Sequence, residues 1–89
     1  MIRIKILGPG CKKCQTLESK VKEIVNKEGI EAIIEKVTDI SEIMNYGIMM
    51  TPGLVINDQV KCFGIIPKEE QIISWLKEGY QKWKLNIFY

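Results

Sequence analysis

Two cysteines separated by two lysines are the residues of this chain best suited to chemistry. Cys11 and Cys14 enclose Lys12 and Lys13, directly after a Gly-Pro-Gly segment. At this spacing both sulfurs lie on the first turn of a helix that begins there, within reach of a disulfide bond. Backbone N–H groups at a helix N-terminus and the two ammonium groups favour a thiolate. We therefore predict that Cys11 is a nucleophile.

The second cysteine begins an apolar stripe at helical spacing, which continues with Leu17, Val21 and Ile24. Helix geometry turns such a stripe, and Cys14 with it, toward a core. A shielded thiol beside an exposed thiolate suits the resolving step of disulfide exchange, in which Cys14 attacks Cys11 and releases the substrate. An open approach for a partner's sulfur is expected at the residues before the pair, which are Gly8, Pro9 and Gly10.

Other interpretations of the pair lead to different chemistry. Structural cysteines would be buried rather than flanked by glycine and lysine. A closed zinc site needs four ligands, whereas the chain has three cysteines and no histidine, so no metal site is expected within one chain. The remaining alternative is a Cu(I) binding or chaperone module, because Cu(I) prefers two thiolates. Heavy-metal-binding domains of that kind run β-α-β-β-α-β.

The hydrophobic pattern of this chain predicts a different order, β-α-β-α-β-β-α. Strands are predicted over residues 1–7, 30–37, 53–57 and 60–64, and helices from the cysteine pair to Gly29, over 38–47 and from Pro67 to Gly79. Because a helix connects them, the first two strands should pair in parallel. The result is an α/β fold with a mixed four-stranded sheet and flanking helices. Residues 80–89 are expected to form a C-terminal tail.

Length and charge limit the function classes. The chain has 89 residues and a net charge of +2, which predicts a single domain over 1–89 with no footprint for nucleic acid. No apolar run approaches the length of a membrane span. Without a pattern of paired cysteines typical of secreted domains, we expect a cytoplasmic protein, and a monomer.

A second motif allows the sequence to be compared with a protein family. Tyr46-Gly47-Ile48 is followed by Thr51-Pro52 and then by an apolar strand. Together with the Cys-x-x-Cys pair, this segment resembles the thioredoxin superfamily, and most of all its small redox-active disulfide proteins of archaea and bacteria. The resemblance implies a thioredoxin-like fold of glutaredoxin size and a thiol-disulfide oxidoreductase that transports electrons. It implies no cofactor beyond the disulfide of Cys11 and Cys14, protein or small-molecule disulfides as substrates, and an unidentified reductase as electron donor.

The resemblance also assigns roles within the second motif. Pro52 would be a cis proline next to the cysteines, and Thr51 would pair its backbone with a substrate strand; an ordinary turn proline is the alternative. Three departures stand out: Gly10 replaces a tryptophan, Lys-Lys replaces Gly-Pro, and Lys5 stands where thioredoxins place an acid that assists proton transfer. The acid-base partner of Cys14 is therefore open.

Four further features have structural or functional interpretations. Cys62 is expected to be a small buried hydrophobe, with a third redox thiol as the alternative. Met44, Met49 and Met50 are expected to fill the core rather than bind metal. Trp75 is interpreted as a packing residue of the last helix. The aromatic tail is expected to cover one face of the sheet or to bind a partner, through Trp83, Leu85, Ile87, Phe88 and Tyr89.

Overall fold

The computed structural model describes residues 2–88, with side chains described up to residue 79. Its strands are β1 (Ile2–Leu7), β2 (Ala32–Val37), β3 (Gly53–Ile56) and β4 (Gln59–Phe63). Its helices are α1 (Lys12–Glu28), α2 (Ile40–Asn45) and α3 (Glu69–Phe88). The elements follow one another as β-α-β-α-β-β-α, as the sequence predicts.

The four strands form one mixed sheet in the order β2-β1-β3-β4. Strand β1 is central: it pairs in parallel with β2 from Ile2 opposite Ala32, and antiparallel with β3. Strand β4 completes the sheet antiparallel to β3. The predicted α/β class and the parallel first pair are confirmed. The carboxyl end of β1 therefore lies inside the sheet, directly before the cysteine motif.

The main core lies between the sheet and helices α1 and α3. The alternation of β1 turns its even-numbered isoleucines toward α1, whose apolar stripe faces them as predicted. The core consists of Ile2, Ile4, Ile6, Leu17, Val21, Ile24, Val25, Leu54, Ile56, Ile72 and Leu76. Trp75 packs against this cluster, in agreement with its predicted role. Because full burial of one such aliphatic side chain is worth about 1.5–3 kcal/mol, this cluster fixes α1 on the sheet.

A smaller apolar cluster on the other face holds α2 against the end of the sheet that precedes the cysteines. It consists of Leu7, Val37, Ile43, Ile48 and Val55, with Tyr46 packed at its edge. Helix α2 begins where Asp39 accepts a hydrogen bond from the Ser41 N–H at 2.9 Å, which is an N-cap. This packing fixes the segment that leads from α2 to the Thr-Pro motif.

Strands β3 and β4 form a hairpin that turns at Asn57 and Asp58. Both residues have positive φ, 50° and 65°, which is the conformation of a two-residue type I′ turn. Asn57 also accepts a hydrogen bond from the Arg3 N–H at 3.0 Å through its side chain. The turn is thereby tied to β1 as well as to its own strands.

Helix α3 differs from its prediction. It runs from Glu69 to Phe88, whereas Gly79 was expected to end it and residues 80–89 were expected to form a tail. The glycine has another function: a Cβ at Gly79 would lie 3.0 Å from Asn57 Nδ2 and 3.7 Å from Ile56 Cγ2. The helix thus passes closely over the hairpin at this point. The proposed covering role of the aromatic tail residues lies outside the described residues.

Candidate active site

The cysteine motif is built where β1 ends and α1 begins. Cys11 is the N-cap residue of α1, with extended backbone at φ −67° and ψ 168°. Gly10 precedes it at φ 96°, a conformation that few side chains tolerate. The Gln15 side chain donates a hydrogen bond to the Gly10 carbonyl at 3.2 Å. This turn leaves Cys11, Gly10, Lys12 and Lys13 exposed.

The two sulfurs lie side by side but in different surroundings. Cys11 Sγ and Cys14 Sγ are 2.6 Å apart, and both residues are free thiols. Cys11 is exposed, whereas Cys14 is only 5% exposed and lies on the buried stripe of α1. The sequence predicts this asymmetry from helical spacing. Both sulfurs lie at the first turn of α1, where a disulfide can close between them.

The surroundings change the two pKa values in opposite directions. The pKa of Cys11 is lowered, chiefly by the hydrogen bond to the Cys14 thiol and then by the backbone N–H groups of Cys14 and Lys13. Burial, followed by the hydrogen bond to Cys11, raises the pKa of Cys14. Hydrogen bonds to a thiolate favour the charged form, while burial disfavours it. Cys11 is therefore the more readily ionised thiol of the pair.

Gly8 packs directly beneath the buried sulfur. A Cβ at this position would overlap with Cys14 Sγ and would lie 3.8 Å from Thr51 Cβ. Gly8 itself is buried, so the open approach expected over Gly8, Pro9 and Gly10 is limited to the latter two. The absence of a side chain at Gly8 makes room for Cys14.

The Thr-Pro segment lies on the same side of the sheet end. The Thr51–Pro52 peptide bond is cis, as the resemblance implies. Pro52 is buried and Thr51 is half-buried, and the contact distances at Gly8 place Thr51 beside the cysteine pair. The Pro52 carbonyl accepts a hydrogen bond from the Gly64 N–H at 2.8 Å. The end of β4 thus holds this segment in position.

The methionines next to this segment do not fill the core. Met44, Met49 and Met50 are exposed, Met49 by 92%, so their predicted core role is wrong. Met50 instead packs against Gly64, where a Cβ would lie 3.1 Å from Met50 Cβ. Met44 lies on the exposed side of α2, while Met49 and Met50 lie on the bend before Pro52, from which only Ile48 enters the smaller cluster.

Lys5 is directed away from the cysteines. Its ammonium group donates a hydrogen bond to the Tyr46 hydroxyl at 3.0 Å and lies 5.7 Å from the centre of the Tyr46 ring. These contacts raise the pKa of Lys5. Because side chains alternate along β1, Lys5 is on the α2 face of the sheet, opposite the face that carries α1 and Cys14. Lys5 therefore does not substitute for the missing acid.

A small cavity beside Cys14 is lined by two charged residues that no local sequence pattern places at the site. It has a volume of about 30 Å³, and its lining includes Cys14, Glu18, Lys36 and Thr38. Glu18 lies one helical turn after Cys14, but its i,i+4 spacing to Lys22 fits a surface ion pair equally well. Lys36 comes from β2, so its position depends on the strand register and could not be found from spacing alone.

Cys62 lies away from the pair, at the edge of the main core. It is half-buried and packs against that cluster, and burial raises its pKa. These observations agree with the predicted small hydrophobe. Among the described residues, no three cysteine, histidine, aspartate or glutamate side chains cluster as metal ligands would. Within the same part of the chain, no helix has the length and apolar character needed to cross a membrane.

The strand order β2-β1-β3-β4, with an exposed and a buried cysteine at the start of α1, defines a thioredoxin fold. Proteins of this class exchange thiols and disulfides. Residues 2–77 match the family model described as a thioredoxin domain. The chain is 42% identical over 77 residues to a thioredoxin of Methanocaldococcus jannaschii, covering 86% of this chain and 88% of that protein. It is 36% identical over 72 residues to a thioredoxin of Methanothermobacter thermautotrophicus, covering 81% of this chain and 94% of that protein.

The fold has also been observed in a solved structure. The germline-specific thioredoxin Deadhead of Drosophila melanogaster superposes with a TM-score of 0.61 at 17% identity, covering 86% of this chain and 79% of that one. The chain belongs to the thioredoxin family. The predicted superfamily and fold are confirmed, and thiol-disulfide oxidoreductase activity is assigned at the level of the family.

Proposed function

We propose that the protein reduces disulfide bonds in proteins or small molecules, with Cys11 as nucleophile and Cys14 as resolving thiol. The observation that carries the proposal is the asymmetry of the pair. Cys11 is exposed with a lowered pKa, and Cys14 is buried with a raised pKa, at a sulfur separation of 2.6 Å. The thiolate is the reactive form in disulfide exchange, so the exposed cysteine attacks first.

The reaction consists of two exchanges. In the first, the Cys11 thiolate attacks one sulfur of the substrate disulfide, and the other substrate sulfur leaves as a thiolate. In the second, Cys14 loses its proton and attacks Cys11 Sγ, so that the remaining substrate sulfur leaves with the bonding electron pair. Two electrons pass from the dithiol to the substrate. No cofactor is required, and an unidentified reductase returns the electrons.

The exposed surface near the pair supports a protein substrate. Apolar side chains that remain in water around the Thr-Pro segment and the end of β4 are Met49, Met50, Phe63 and Ile65. Exposed apolar groups of this kind favour contact with a partner. In the proposal the Thr51 backbone pairs with an extended substrate segment, Pro52 closes the site, and Gly10, Lys12 and Lys13 line the approach. The proposed setting is a monomer in the cytoplasm.

Single cysteine variants test the proposed roles. Cys11→Ser should abolish the reduction of insulin, because it removes the attacking thiolate. Cys14→Ser should accumulate a mixed disulfide with the substrate, detectable by mass spectrometry, because attack remains and resolution is lost. Cys62→Ser is the matched control and should retain activity. Iodoacetamide should label Cys11 at a lower pH than Cys14; faster labelling of Cys14 at neutral pH would contradict the assignment.

A further inference from the structure

The cavity beside Cys14 brings a positive charge close to the resolving thiol. Lys36 and Glu18 both line it, together with Cys14. Lys36 Nζ lies 3.1 Å from Glu18 Oε2. The cavity has a volume of about 30 Å³, which is enough for a water molecule between these side chains and the sulfur.

Glu18 has two lysine partners, which makes one of them available. Lys22 Nζ lies 3.2 Å from Glu18 Oε1, while Lys36 binds the other oxygen. Partial burial raises the pKa of Glu18, but the hydrogen bonds from Lys36 and Lys22 outweigh burial and lower it. If Lys36 turns from Glu18 to a thiolate at Cys14, the carboxylate keeps Lys22. The transfer therefore leaves no partly buried charge unpaired.

We propose that Lys36 stabilises the thiolate form of Cys14 during the resolving step, and that Glu18, its ion-pair partner at the cavity, opposes this stabilisation. This inference rests on the proposed function and deepens it. Among the described residues, Glu18 from α1 and Lys36 from β2 are the charged residues that line the cavity, and Cys11 is the titratable group in contact with Cys14. Once Cys11 is bonded to the substrate it carries no charge, so Lys36 and Glu18 are the charges that remain.

The chemistry of the step is balanced without a further reactant. The Cys14 thiol releases its proton to water, and its sulfur forms a bond to Cys11 Sγ. The bond between Cys11 Sγ and the substrate sulfur breaks, and the substrate leaves as a thiolate that takes a proton from water. Lys36 lowers the free energy of the Cys14 thiolate relative to the thiol. Glu18 opposes this effect through its own negative charge.

The resolving step can be measured by itself with 5,5′-dithiobis(2-nitrobenzoic acid), in a Cys62→Ser background. Reaction in acid forms the mixed disulfide on Cys11 and releases one thionitrobenzoate, while Cys14 stays protonated. A jump to a series of higher pH values then starts resolution, and the absorbance of the second thionitrobenzoate reports its rate. A Cys14→Ser variant identifies the first phase, because it releases one equivalent.

Opposite effects are expected for the two charges. Lys36→Gln should slow resolution about two- to fivefold at neutral pH and low salt, the range for exposed ion pairs, and should move the pH profile upward. Glu18→Gln should accelerate resolution and move the profile downward. Lys36→Arg should retain the wild-type rate. Added salt should reduce both differences, and the first phase should be unchanged in every variant.

Lys27 provides the matched control. Its side chain is 63% exposed, almost the same fraction as the 62% of Lys36. Lys27 Nζ lies 3.2 Å from Glu69 Oε1 and so also forms an ion pair with a glutamate. Lys27→Gln should therefore leave resolution unchanged. Equal rates for Lys36→Gln and Lys27→Gln, or slower resolution in Glu18→Gln, would overturn the inference. A wild-type protein that releases only one equivalent would instead contradict the proposed function. Circular dichroism verifies that each variant is folded.

Discussion

An alanine at Gly8 is expected to disturb the buried cysteine directly. Its Cβ would overlap with Cys14 Sγ and lie 3.2 Å from Cys14 Cβ. The Gly8 N–H donates a hydrogen bond to the Val37 carbonyl at 2.9 Å, and this bond restrains the backbone from moving away. The added methyl group must therefore be accommodated by Cys14 or by the turn of α1 that carries it.

The expected loss of stability follows from the packing of that turn. An extra methylene in a well-packed core costs typically about 1–3 kcal/mol. Leu17 and Val21 on the same helix are fully buried, so α1 cannot shift without disturbing the main core. We expect the upper part of the range, about 2–3 kcal/mol. At about 4–8 °C per kcal/mol for a domain of this size, Tm should fall by about 8–24 °C.

Two measurements separate the effect on Cys14 from a general loss of stability. Urea unfolding of the reduced protein gives the free energy of unfolding. The second thionitrobenzoate phase gives the rate of resolution, and this rate should change in Gly8→Ala. Gly47→Ala is the control: Gly47 has φ 76° with open space around it. An alanine there costs about 1–2 kcal/mol through its backbone conformation and should leave resolution unchanged.

A Gly8→Ala protein whose free energy of unfolding lies within about 0.5 kcal/mol of wild type would refute the expected overlap with Cys14, because that is the usual range for surface substitutions. The same expectation would also be refuted if Gly8→Ala and Gly47→Ala changed resolution equally, since the contact with Cys14 would then have no specific effect.

Two further predictions concern charge and capping. Replacement of Lys12 and Lys13 by alanine should raise the pKa of Cys11 by less than about one unit, because exposed charges are screened. The reduction potential should become more negative, since the thiolate belongs to the reduced form; a pKa unchanged at low salt in thiolate absorbance titrations would contradict this. Asp39→Ala removes the acceptor of the Ser41 N–H and should cost about 1 kcal/mol of stability. Asp39→Asn should restore most of it, and equal urea midpoints for wild type and Asp39→Ala would exclude a capping role.

Features set by local sequence could be predicted. The alternation of apolar residues along β1 and the apolar stripe along α1 each depend on residues within one element. The order of these elements predicts the parallel first strand pair, and the stripe predicts that Cys14 faces the core. The Asn57-Asp58 pair is likewise a local signal, because few residue pairs accept positive φ at both positions of a tight turn. The difference in exposure between Cys11 and Cys14 could also be predicted, because it depends only on where α1 begins and on which side of α1 faces the sheet.

Features that depend on contacts distant in sequence could not be predicted. Gly79 has the composition of a helix end, but its position over Asn57 is set by the packing of α3 on the hairpin. Met49 and Met50 are apolar enough for a core, yet the bend before Pro52 directs them to solvent. The meeting of Glu18 and Lys36 at one cavity requires the register between β1 and β2, which no local pattern specifies.

The placement of both cysteines on one helical turn also determines how much the disulfide restricts the unfolded chain. The ring from Cys11 to Cys14 spans four residues. By the chain-entropy relation, closing so short a ring stabilises a fold by about 2 kcal/mol, compared with about 4.7 kcal/mol for a ring of about 100 residues. Reduction opens this ring and removes little conformational restraint, so the chain loses only about 2 kcal/mol of stability when it takes up the two electrons that return it to the dithiol.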